Sequence, residues 1–391
     1  MAPDRSRLDG FLEEAGVDGY LIDADSTDAD QYYLSGFDAP DPFVTLYNGS
    51  THLLFARSLE YGRAKAEASA DSVERDVDYG YGALAEAHGP QEARDRVLAA
   101  FLDSHGVHSV ATPPRFPLRT ADGLRDQGVD VTAEDSGVVT EIRATKADDE
   151  VAHVRETQRA NEAAMGQAEE LIADADVGDD GHLLRDGEPL TSERVKEAIE
   201  VELLRHGCAL DETIVACGAD AADPHDRGSG PLEADEPIIV DIFPQSKASK
   251  YHADMTRTLC AGTPGETVRE WYELTAEAKR AALDAVEPGV TGATVHDAVC
   301  DVYEAAGLPT LRSDEAAETG FIHSTGHGVG LDVHELPRLA PDGGELRPGQ
   351  VITVEPGLYD PAVGGVRIED IVVVTEDGYE NLTDYEETLV V

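Results

Sequence analysis

Basic residues are scarce in this chain. Its 391 residues include 30 Lys and Arg against 80 Asp and Glu, which gives a formal net charge of -50. A surface this negative repels the phosphates of nucleic acids and the headgroups of anionic membranes. We therefore expect neither a nucleic acid nor a membrane among its partners.

The acidic residues are spread along the whole chain between apolar segments, and they do not form a tail. Because 41% of the residues are hydrophobic, the chain can still build a folded core. At molar salt the Debye length is about 3 Å, so repulsion among surface carboxylates is largely screened. The composition predicts a halophilic protein that loosens when salt is removed.

Cysteine is rare, and long apolar runs are missing. The four cysteines, Cys208, Cys217, Cys260 and Cys300, form no Cys-x-x-Cys pair, which predicts buried free thiols and not a structural zinc site. The amino-terminal segment lacks the apolar core of a signal peptide, and no run reaches the roughly 18 apolar residues of a membrane span. We expect a soluble, cytoplasmic protein.

Residues 1–142 alternate between short apolar runs and helical patterns, which predicts an α/β domain. Asn48-Gly49 between two apolar runs is a strong hairpin signal. Helices are expected over 5–15, 60–69 and 90–104, and strands over 19–22, 43–47, 51–55 and 107–111.

Residues 143–391 are predicted to form a second domain. The Gly- and Asp-rich segment 175–189 is expected to be a loop, and Thr191 or Ser192 is expected to cap the helix that follows it. Helices are expected over 148–174, 192–206, 267–286 and 295–306, and strands over 213–217, 237–243, 255–260, 351–354 and 371–374.

Two aspartates adjoin apolar segments of the second domain. Asp241 interrupts the apolar run 237–243, and Asp254 follows 13 residues later. A carboxylate in a buried strand is costly unless it is paired or bound to a cation. If a hairpin joins the two strands, both carboxylates can face one divalent cation, which relieves their repulsion. A local turn at Asp241 and an ion pair between Asp254 and Arg257 are the alternatives.

A glycine-flanked histidine is the next candidate ligand. His327 lies in the segment 324–330, Ser-Thr-Gly-His-Gly-Val-Gly, where the glycines allow close backbone approach. A single histidine is more often structural than a ligand. His323 and His334 lie close by in the sequence, and their presence favours a metal-binding role for His327.

Two glutamates lie at the ends of apolar strands. Glu355 follows the run 351–354, and Glu369 precedes the run 371–374. Surface acids of an acidic protein are the alternative, but these two adjoin the least polar stretches of the chain. Four carboxylates and one imidazole favour Mn, Fe or Co over a thiolate-type zinc site. Two such ions can activate water and polarise a carbonyl together.

The ordered motifs resemble the pita-bread metallopeptidases, the family of prolidase, aminopeptidase P and methionine aminopeptidase. The resemblance covers roughly residues 150–391. The motifs that carry it are Asp241, Asp254-Met-Thr-Arg-Thr258, Gly326-His327-Gly-Val-Gly330, Glu355-Pro-Gly357 and Arg367-Ile-Glu369-Asp370. The resemblance implies an α/β creatinase/prolidase-like N-terminal domain, residues 1–142, followed by an α+β pita-bread catalytic domain, residues 143–391.

The resemblance also implies a role for each site residue. Two divalent ions, Mn or Co, would be held by Asp241, Asp254, His327, Glu355 and Glu369. Asp254 and Glu369 would bridge the ions, and Glu355 would also act as the general base. His225 and His334 match the family's two substrate-side histidines. Arg367 would steer the substrate or orient Glu369, and His323 would line the pocket.

The N-terminal domain favours one branch of the family. Tyr33-Leu-Ser-Gly-Phe37 and the junction Arg143-Ala-Thr-Lys146 resemble prolidase-like members. The resemblance therefore implies cleavage of short proline-containing peptides by an Xaa-Pro dipeptidase or aminopeptidase, which would be a homodimer. The 13-residue spacing from Asp241 to Asp254 exceeds the usual 11, which predicts a longer turn over residues 244–250.

Two other functions stay open at this stage. One is hydrolysis of a small amide or amidine, as in creatinase-like or ectoine-hydrolase-like relatives. The other is a pita-bread module that only binds partners. The complete set of five predicted ligands argues against the binding module and against the metal-free creatinase chemistry.

Overall fold

A computed structural model describes residues 5–56 and 58–391 of the chain. The chain divides into two compact units, Met1–Arg143 and Ala144–Val391. The sequence predicts this boundary one residue earlier, after residue 142. Among the described residues, none of the helices combines the length and the apolar character that a bilayer span requires.

The first unit is built on one six-stranded mixed sheet with the strand order β4-β3-β2-β1-β5-β6. Its described strands are β1 Gly19–Ala24, β2 Phe43–Tyr47, β3 Thr51–Phe55, β4 Ser72–Arg75, β5 Ser109–Thr112 and β6 Asp130–Ala133. Its described helices are α1 Ser6–Ala15, α2 Ala29–Ser35, α3 Tyr61–Glu67, α4 Tyr81–His88, α5 Pro90–Ser104, α6 Leu118–Asp126 and α7 Val138–Arg143.

Both faces of this sheet are covered, as the alternation of side chains along β1 shows. Leu21 packs with α5 and α6, whereas Tyr20 and Ile22 pack with α1 and α7 on the other face. The strands β2 and β3 pair antiparallel around the predicted Asn48-Gly49 turn, with Tyr47 opposite Thr51. The hairpin and its bounds are therefore confirmed.

The second unit contains four described helices and several small antiparallel sheets. The helices are α8 Asp148–Ala173, α9 Ser192–Arg205, α10 Glu266–Asp284 and α11 Gly292–Ala305. The strands are β7 Asp176–Val177, β8 Leu183–Arg185, β9 Glu188–Pro189, β10 Cys208–Ala209, β11 Thr213–Cys217, β12 Ile238–Ile242, β13 Gln245–Ser246, β14 Met255–Leu259, β15 Gly326–Gly328, β16 Glu335–Leu339, β17 Val351–Val354, β18 Gly357–Asp360, β19 Gly364–Arg367, β20 Asp370–Thr375 and β21 Gly378–Asn381.

Two helix pairs support two of these sheets. One apolar core joins α8 and α9 to the three-stranded sheet β11-β12-β14. A second core joins α10 and α11 to the five-stranded sheet β16-β15-β17-β20-β21. The hydroxyls of Thr191 and Thr291 cap α9 and α11, because each accepts a hydrogen bond from a backbone N–H three residues later.

Several details differ from the sequence predictions, among them the start of α11, which lies three residues earlier than expected, at Gly292. Residues 175–189 are not a plain loop, because β7, β8 and β9 form a small antiparallel sheet there. The strand expected over 107–111 begins two residues later, at Ser109. All four thiols are free, but Cys217 is only partly buried because it ends an edge strand.

The long connection between Asp241 and Asp254 is more than an extended turn. Its residues Gln245 and Ser246 form β13, which pairs antiparallel with β10. Lys250 then reverses the chain with a left-handed backbone, φ 66°. The connection thus gains a sheet partner while β12 and β14 stay paired at its base.

Candidate metal centre

Two adjacent strands place the first two carboxylates on one side of a sheet. The strands β12 and β14 pair antiparallel, with Asp241 opposite Thr256. Asp254 lies two residues before Thr256, and side chains two positions apart on an extended chain point the same way. Both carboxylates are buried, at 8% and 4% exposure.

A second pair of strands brings His327 to Glu355. β15 and β17 pair antiparallel, with Gly328 opposite Ile352. The hydroxyl of Thr353 accepts a hydrogen bond from the His327 backbone N–H at 3.1 Å and donates one to Glu355 at 3.3 Å. The Nε2 atom of His327 then lies 3.4 Å from Oε1 of Glu355.

The glycines beside His327 are required by the packing of its strand. A Cβ atom on Gly326 would lie 2.1 Å from the Thr353 carbonyl oxygen, and one on Gly328 would lie 2.0 Å from the Leu336 carbonyl oxygen. Only glycine therefore allows β15 to approach both neighbours this closely. This close approach sets the position of the imidazole.

Glu369, the fifth predicted ligand, lies in the link between β19 and β20. The backbone N–H of Glu369 donates to the Thr256 carbonyl at 3.1 Å, and the Thr256 hydroxyl donates to Oε2 of Glu369 at 2.7 Å. Ligand atoms of Asp254, His327 and Glu369 all lie within 4.8 Å of one another. The structure thus brings together residues from both sheets.

Three oxygens in this cluster lack partners. Oδ1 of Asp241, Oδ1 of Asp254 and Oε1 of Glu369 are buried and accept no hydrogen bond from any residue that the structure describes. Burial of a carboxylate oxygen without a partner is strongly unfavourable. Oxygen atoms that converge in this way, together with one imidazole, fit a divalent cation.

The electrostatics of the cluster agree with a missing positive charge. Burial raises the pKa values of Asp254 and Glu369 well above their usual range, and each is raised further by the other carboxylates. Burial also raises the pKa of Glu355 to about 7, while Arg367 opposes the shift. Without a bound cation, these carboxylates hold protons that solvent-exposed ones would release.

Arg367 is the cation that the chain itself provides. Its Nη2 atom lies 2.6 Å from Oδ2 of Asp241, and its Nε donates to Thr256 at 3.1 Å. Because Thr256 in turn donates to Glu369, Arg367 reaches that carboxylate only through the hydroxyl. Its direct carboxylate partner is Asp241, and the expected role of orienting Glu369 could be exerted only through Thr256; the alternative role of steering the substrate stays a prediction.

The two predicted substrate-side histidines, His225 and His334, and the predicted pocket residue His323 lie around this cluster. The His334 ring is exposed, and its centroid is 4.3 Å from that of His327. Burial, followed by Arg367, lowers the pKa of His323 to about 3, so this ring is neutral. His225 is exposed on a loop. Desolvation is the main reason why the pKa values of His323 and His334 are lowered, and the nearby His225 lowers both further.

Three hydroxyl groups of the site were not singled out from the sequence. Thr256 and Thr353 position ligands as described above, and the Tyr359 hydroxyl lies 3.0 Å from Nε2 of His323 and 2.8 Å from Nη1 of Arg367. Thr353 interrupts the apolar strand β17, whereas Thr256 lies on β14 beside Arg257 and Thr258, and Tyr359 lies on β18 between Leu358 and Asp360. A polar residue within an apolar strand, close to a predicted ligand, was the available signal for Thr353.

The alternative for Asp254, an ion pair with Arg257, is not what the structure contains. Arg257 is fully buried and its guanidinium pairs with Asp370 at 2.9 Å. It also donates to the Glu369 carbonyl at 2.6 Å. Lys279 binds the second oxygen of Asp370 at 2.5 Å. Arg257 and Lys279 thus fix Asp370 and the backbone next to Glu369. Neither of these two described residues forms an ion pair with Asp254, whose carboxylate faces the other acidic side chains of the cluster.

Comparison with known families finds two matches that together cover most of the chain. Residues 152–376 match the family described as Metallopeptidase family M24. Residues 5–145 match the Creatinase/Prolidase N-terminal domain. The first match contains all five residues of the cluster, and it spans more than half of the chain.

Individual relatives are similar over nearly the whole length. The Xaa-Pro dipeptidase of Pyrococcus horikoshii is 28% identical over 390 residues, which cover 97% of this chain and 96% of that protein. The crystal structure of the prolidase from Pyrococcus horikoshii OT3 superposes with a TM-score of 0.78 at 27% identity, over 98% of this chain and 99% of that one. The X-Pro aminopeptidase from Thermotoga maritima superposes with a TM-score of 0.77 at 25% identity, over 99% of both chains.

Proposed function

This chain belongs to the metallopeptidase family M24, and we propose that it hydrolyses Xaa-Pro peptide bonds. The observation that carries the proposal is the set of three buried carboxylate oxygens without partners among the described residues, on Asp241, Asp254 and Glu369. Family membership implies divalent metal ions, and these oxygens face the place where such ions fit. The names of the relatives support proline-containing peptides as substrates.

We propose that five side chains hold two ions. The family resemblance implies that Asp254 and Glu369 would contribute to both ions. Asp241 would complete one ion's set, and His327 and Glu355 would complete the other. When bound, the ions supply an activated water and a polarised scissile carbonyl. Mn or Co suits an oxygen-rich set with one imidazole.

Glu355 is the group we assign to proton transfer. In the metal-free protein burial raises its pKa to about 7, and bound ions would lower this value again, so that Glu355 would be ionised and able to accept a proton from water. The Thr353 hydroxyl donates to Oε1, which fixes the carboxylate plane. One carboxylate would thus serve both as a ligand and as the general base.

The histidines and Arg367 would act on the substrate side. His334 and His225 are exposed beside the cluster and can donate hydrogen bonds to a peptide carbonyl or carboxylate. His323 is half-buried and lies within hydrogen-bond distance of the Tyr359 hydroxyl, which suits a residue that shapes the pocket. Arg367 holds Asp241 and Tyr359 in place and so would position groups that touch the substrate.

The first experiment is a hydrolysis assay in molar KCl with added Mn. Xaa-Pro dipeptides and Xaa-Pro-Yaa tripeptides would be compared with Ala-Ala. We expect cleavage only before proline, and the accepted length distinguishes a dipeptidase from an aminopeptidase. Glu355→Gln should lower kcat by about 10² or more, since it removes the base. Glu376→Gln, the same change on the surface, should leave kcat unchanged.

A folded, metal-loaded protein that cleaves none of these peptides would refute the proposal. The assay would then turn to small cyclic amides of the ectoine type, the alternative on this fold. The homodimer and the salt-rich cytoplasm that we also propose rest on the family resemblance and the composition. Light scattering after gel filtration in molar KCl tests the dimer directly.

A further inference from the structure

A second cluster of metal-binding side chains lies in the first unit, on the sheet face that α5 covers. The strands β3 and β4 pair in parallel, with His52 opposite Ser72 and Leu54 opposite Glu74. His52 and Glu74 therefore lie on the same face as Leu54, diagonal to one another. Leu54 packs in the same core as Phe101 of α5.

The end of α5 brings a second imidazole onto this face. His105 directly follows the helix, and its Nε2 lies 2.8 Å from Oε1 of Glu74. The rings of His52 and His105 stack with centroids 3.8 Å apart and an interplanar angle of 27°. Donor atoms of His52, Glu74 and His105 all lie within 4.8 Å of one another.

We propose that His52, Glu74 and His105 form a binding site for a divalent transition-metal ion of the zinc type. Two imidazoles and one carboxylate are the donor set that open zinc sites use, with a fourth position for water. Bonds of about 2.1 Å in a tetrahedron separate donor atoms by roughly 3.4 Å. Because the rings of His52 and His105 stack, binding an ion requires them to tilt apart until both nitrogen lone pairs point at it, and the partial exposure of both side chains leaves room for this movement.

The surroundings of the cluster support this assignment in two ways. The other oxygen of Glu74 accepts a hydrogen bond from Tyr79, which orients the carboxylate. The two nitrogens of His52 lie 2.9 Å from the Ser72 hydroxyl and 3.2 Å from Asn48 Oδ1. When one nitrogen binds the ion, the other keeps its hydrogen bond, as metal-binding histidines generally do.

The local electrostatics also favour a cation. His105 follows the carboxyl end of α5, where the helix dipole attracts positive charge. Burial, followed by the neighbouring His105, lowers the pKa of His52, so this ring is neutral and able to coordinate at pH 7. A proton that His105 Nε2 donates to Glu74 must move to Nδ1 or leave for solvent when Nε2 binds metal.

The main test counts zinc. Full-length protein would be loaded with Zn²⁺, dialysed, and analysed for bound zinc per chain by mass spectrometry. We expect His52→Asn combined with His105→Asn to bind one zinc fewer than the natural sequence, with peptidase activity unchanged. His108→Asn is the matched control, because His108 is exposed three residues after His105 and lies outside the cluster. Equal zinc counts in folded proteins would overturn the proposal.

A second measurement needs no variant. Diethyl pyrocarbonate modifies free imidazoles, and peptide mapping reports the rate at each histidine separately. We expect Zn²⁺ to slow modification of His52 and His105 at least about tenfold and to leave His108 unaffected, because coordination occupies the reactive lone pair. Unchanged rates at His52 and His105 at saturating zinc would refute the site even if the double variant failed to fold.

Discussion

The guanidinium of Arg367 lies 2.6 Å from the carboxylate of Asp241, deep within a cluster of four acidic side chains. Arg367 is 3% exposed, so solvent screens this pair very little. The pair leaves Oδ1 of Asp241 without a partner among the described residues, while Oδ2 is occupied. One oxygen of Asp241 is thus paired within the protein, and the other is the one we propose as a metal ligand.

This arrangement predicts that Arg367 contributes most to the free energy of unfolding when no metal is bound. Arg367→Met should lower the free energy of unfolding by about 3–5 kcal/mol in EDTA, because Asp241 is then buried without its cation. With Mn present the loss should be smaller, since the ion compensates the charge. Urea denaturation in molar KCl measures both values. The exposed Arg280→Met is the control and should change neither. Equal losses with and without Mn would contradict the prediction.

The Thr256 hydroxyl connects two charged groups of the site. It accepts from Nε of Arg367 at 3.1 Å and donates to Glu369 at 2.7 Å. Thr256→Val keeps the shape of the side chain but removes this link, so Mn affinity should fall by about 10- to 100-fold. Isothermal titration in molar KCl measures the affinity.

Thr275→Val is the matched control for this substitution. Thr275 is fully buried, and its hydroxyl bonds Tyr303 in the core beneath α10, so it loses a comparable hydrogen bond. Its Mn affinity should equal that of the natural sequence. If Thr256→Val also retained full affinity, the hydroxyl would have no role in placing Glu369.

The family and the two-domain architecture were predictable because the motifs are local in sequence. The resemblance of the five ordered motifs to the pita-bread metallopeptidases is confirmed by the family match, as is the hydrolase class. Strand bounds such as Phe43–Tyr47 follow from β-rich runs beside a hairpin turn. Each of these features depends on a few consecutive residues.

The contacts between distant segments could not be predicted in the same way. Arg367 pairs with Asp241, which is 126 residues away, and not with its near neighbour Glu369. The segment 175–189 looks polar and flexible, yet its short strands pair because Leu183 is fully buried in the core beneath α8. Packing of this kind is decided by tertiary structure, which a local pattern does not contain.

Without metal, the protonated carboxylates of the cluster should stabilise the fold less and less as the pH rises from about 4.5 to 7. Glu355 has a pKa raised to about 7, and those of Asp254 and Glu369 are raised as well. A raised pKa stabilises the fold while the group is protonated, and this contribution is lost as the pH rises through the folded value. The lowered pKa values of His323, His327 and His334 act in the opposite direction below about 6.5, so the effect of Glu355 is read from the difference between the natural sequence and a variant that keeps these histidines.

Thermal melts in EDTA and molar KCl across this pH range provide the measurement. Glu355→Gln should show a smaller fall in Tm than the natural sequence, because one titrating group has been removed. Glu376→Gln, an exposed glutamate, should show the full fall. Equal changes in Tm for Glu355→Gln and the natural sequence between about pH 4.5 and 7 without metal would mean that Glu355 does not hold a proton as described.

The excess of acidic residues predicts dependence on salt. With 80 Asp and Glu against 30 Lys and Arg, lowering KCl from about 3 M to 0.1 M lengthens the Debye length from a few Å to about 10 Å. Repulsion then acts between many surface carboxylates, and Tm should fall by roughly 10 °C, equivalent to about 3 kcal/mol. Scanning calorimetry of the Mn-loaded protein at pH 7.5 measures this fall. At about pH 4.5 part of these carboxylates are protonated, so the same dilution of KCl should lower Tm less. An equal fall at both pH values would show that salt acts through hydration and not through the charge of the chain.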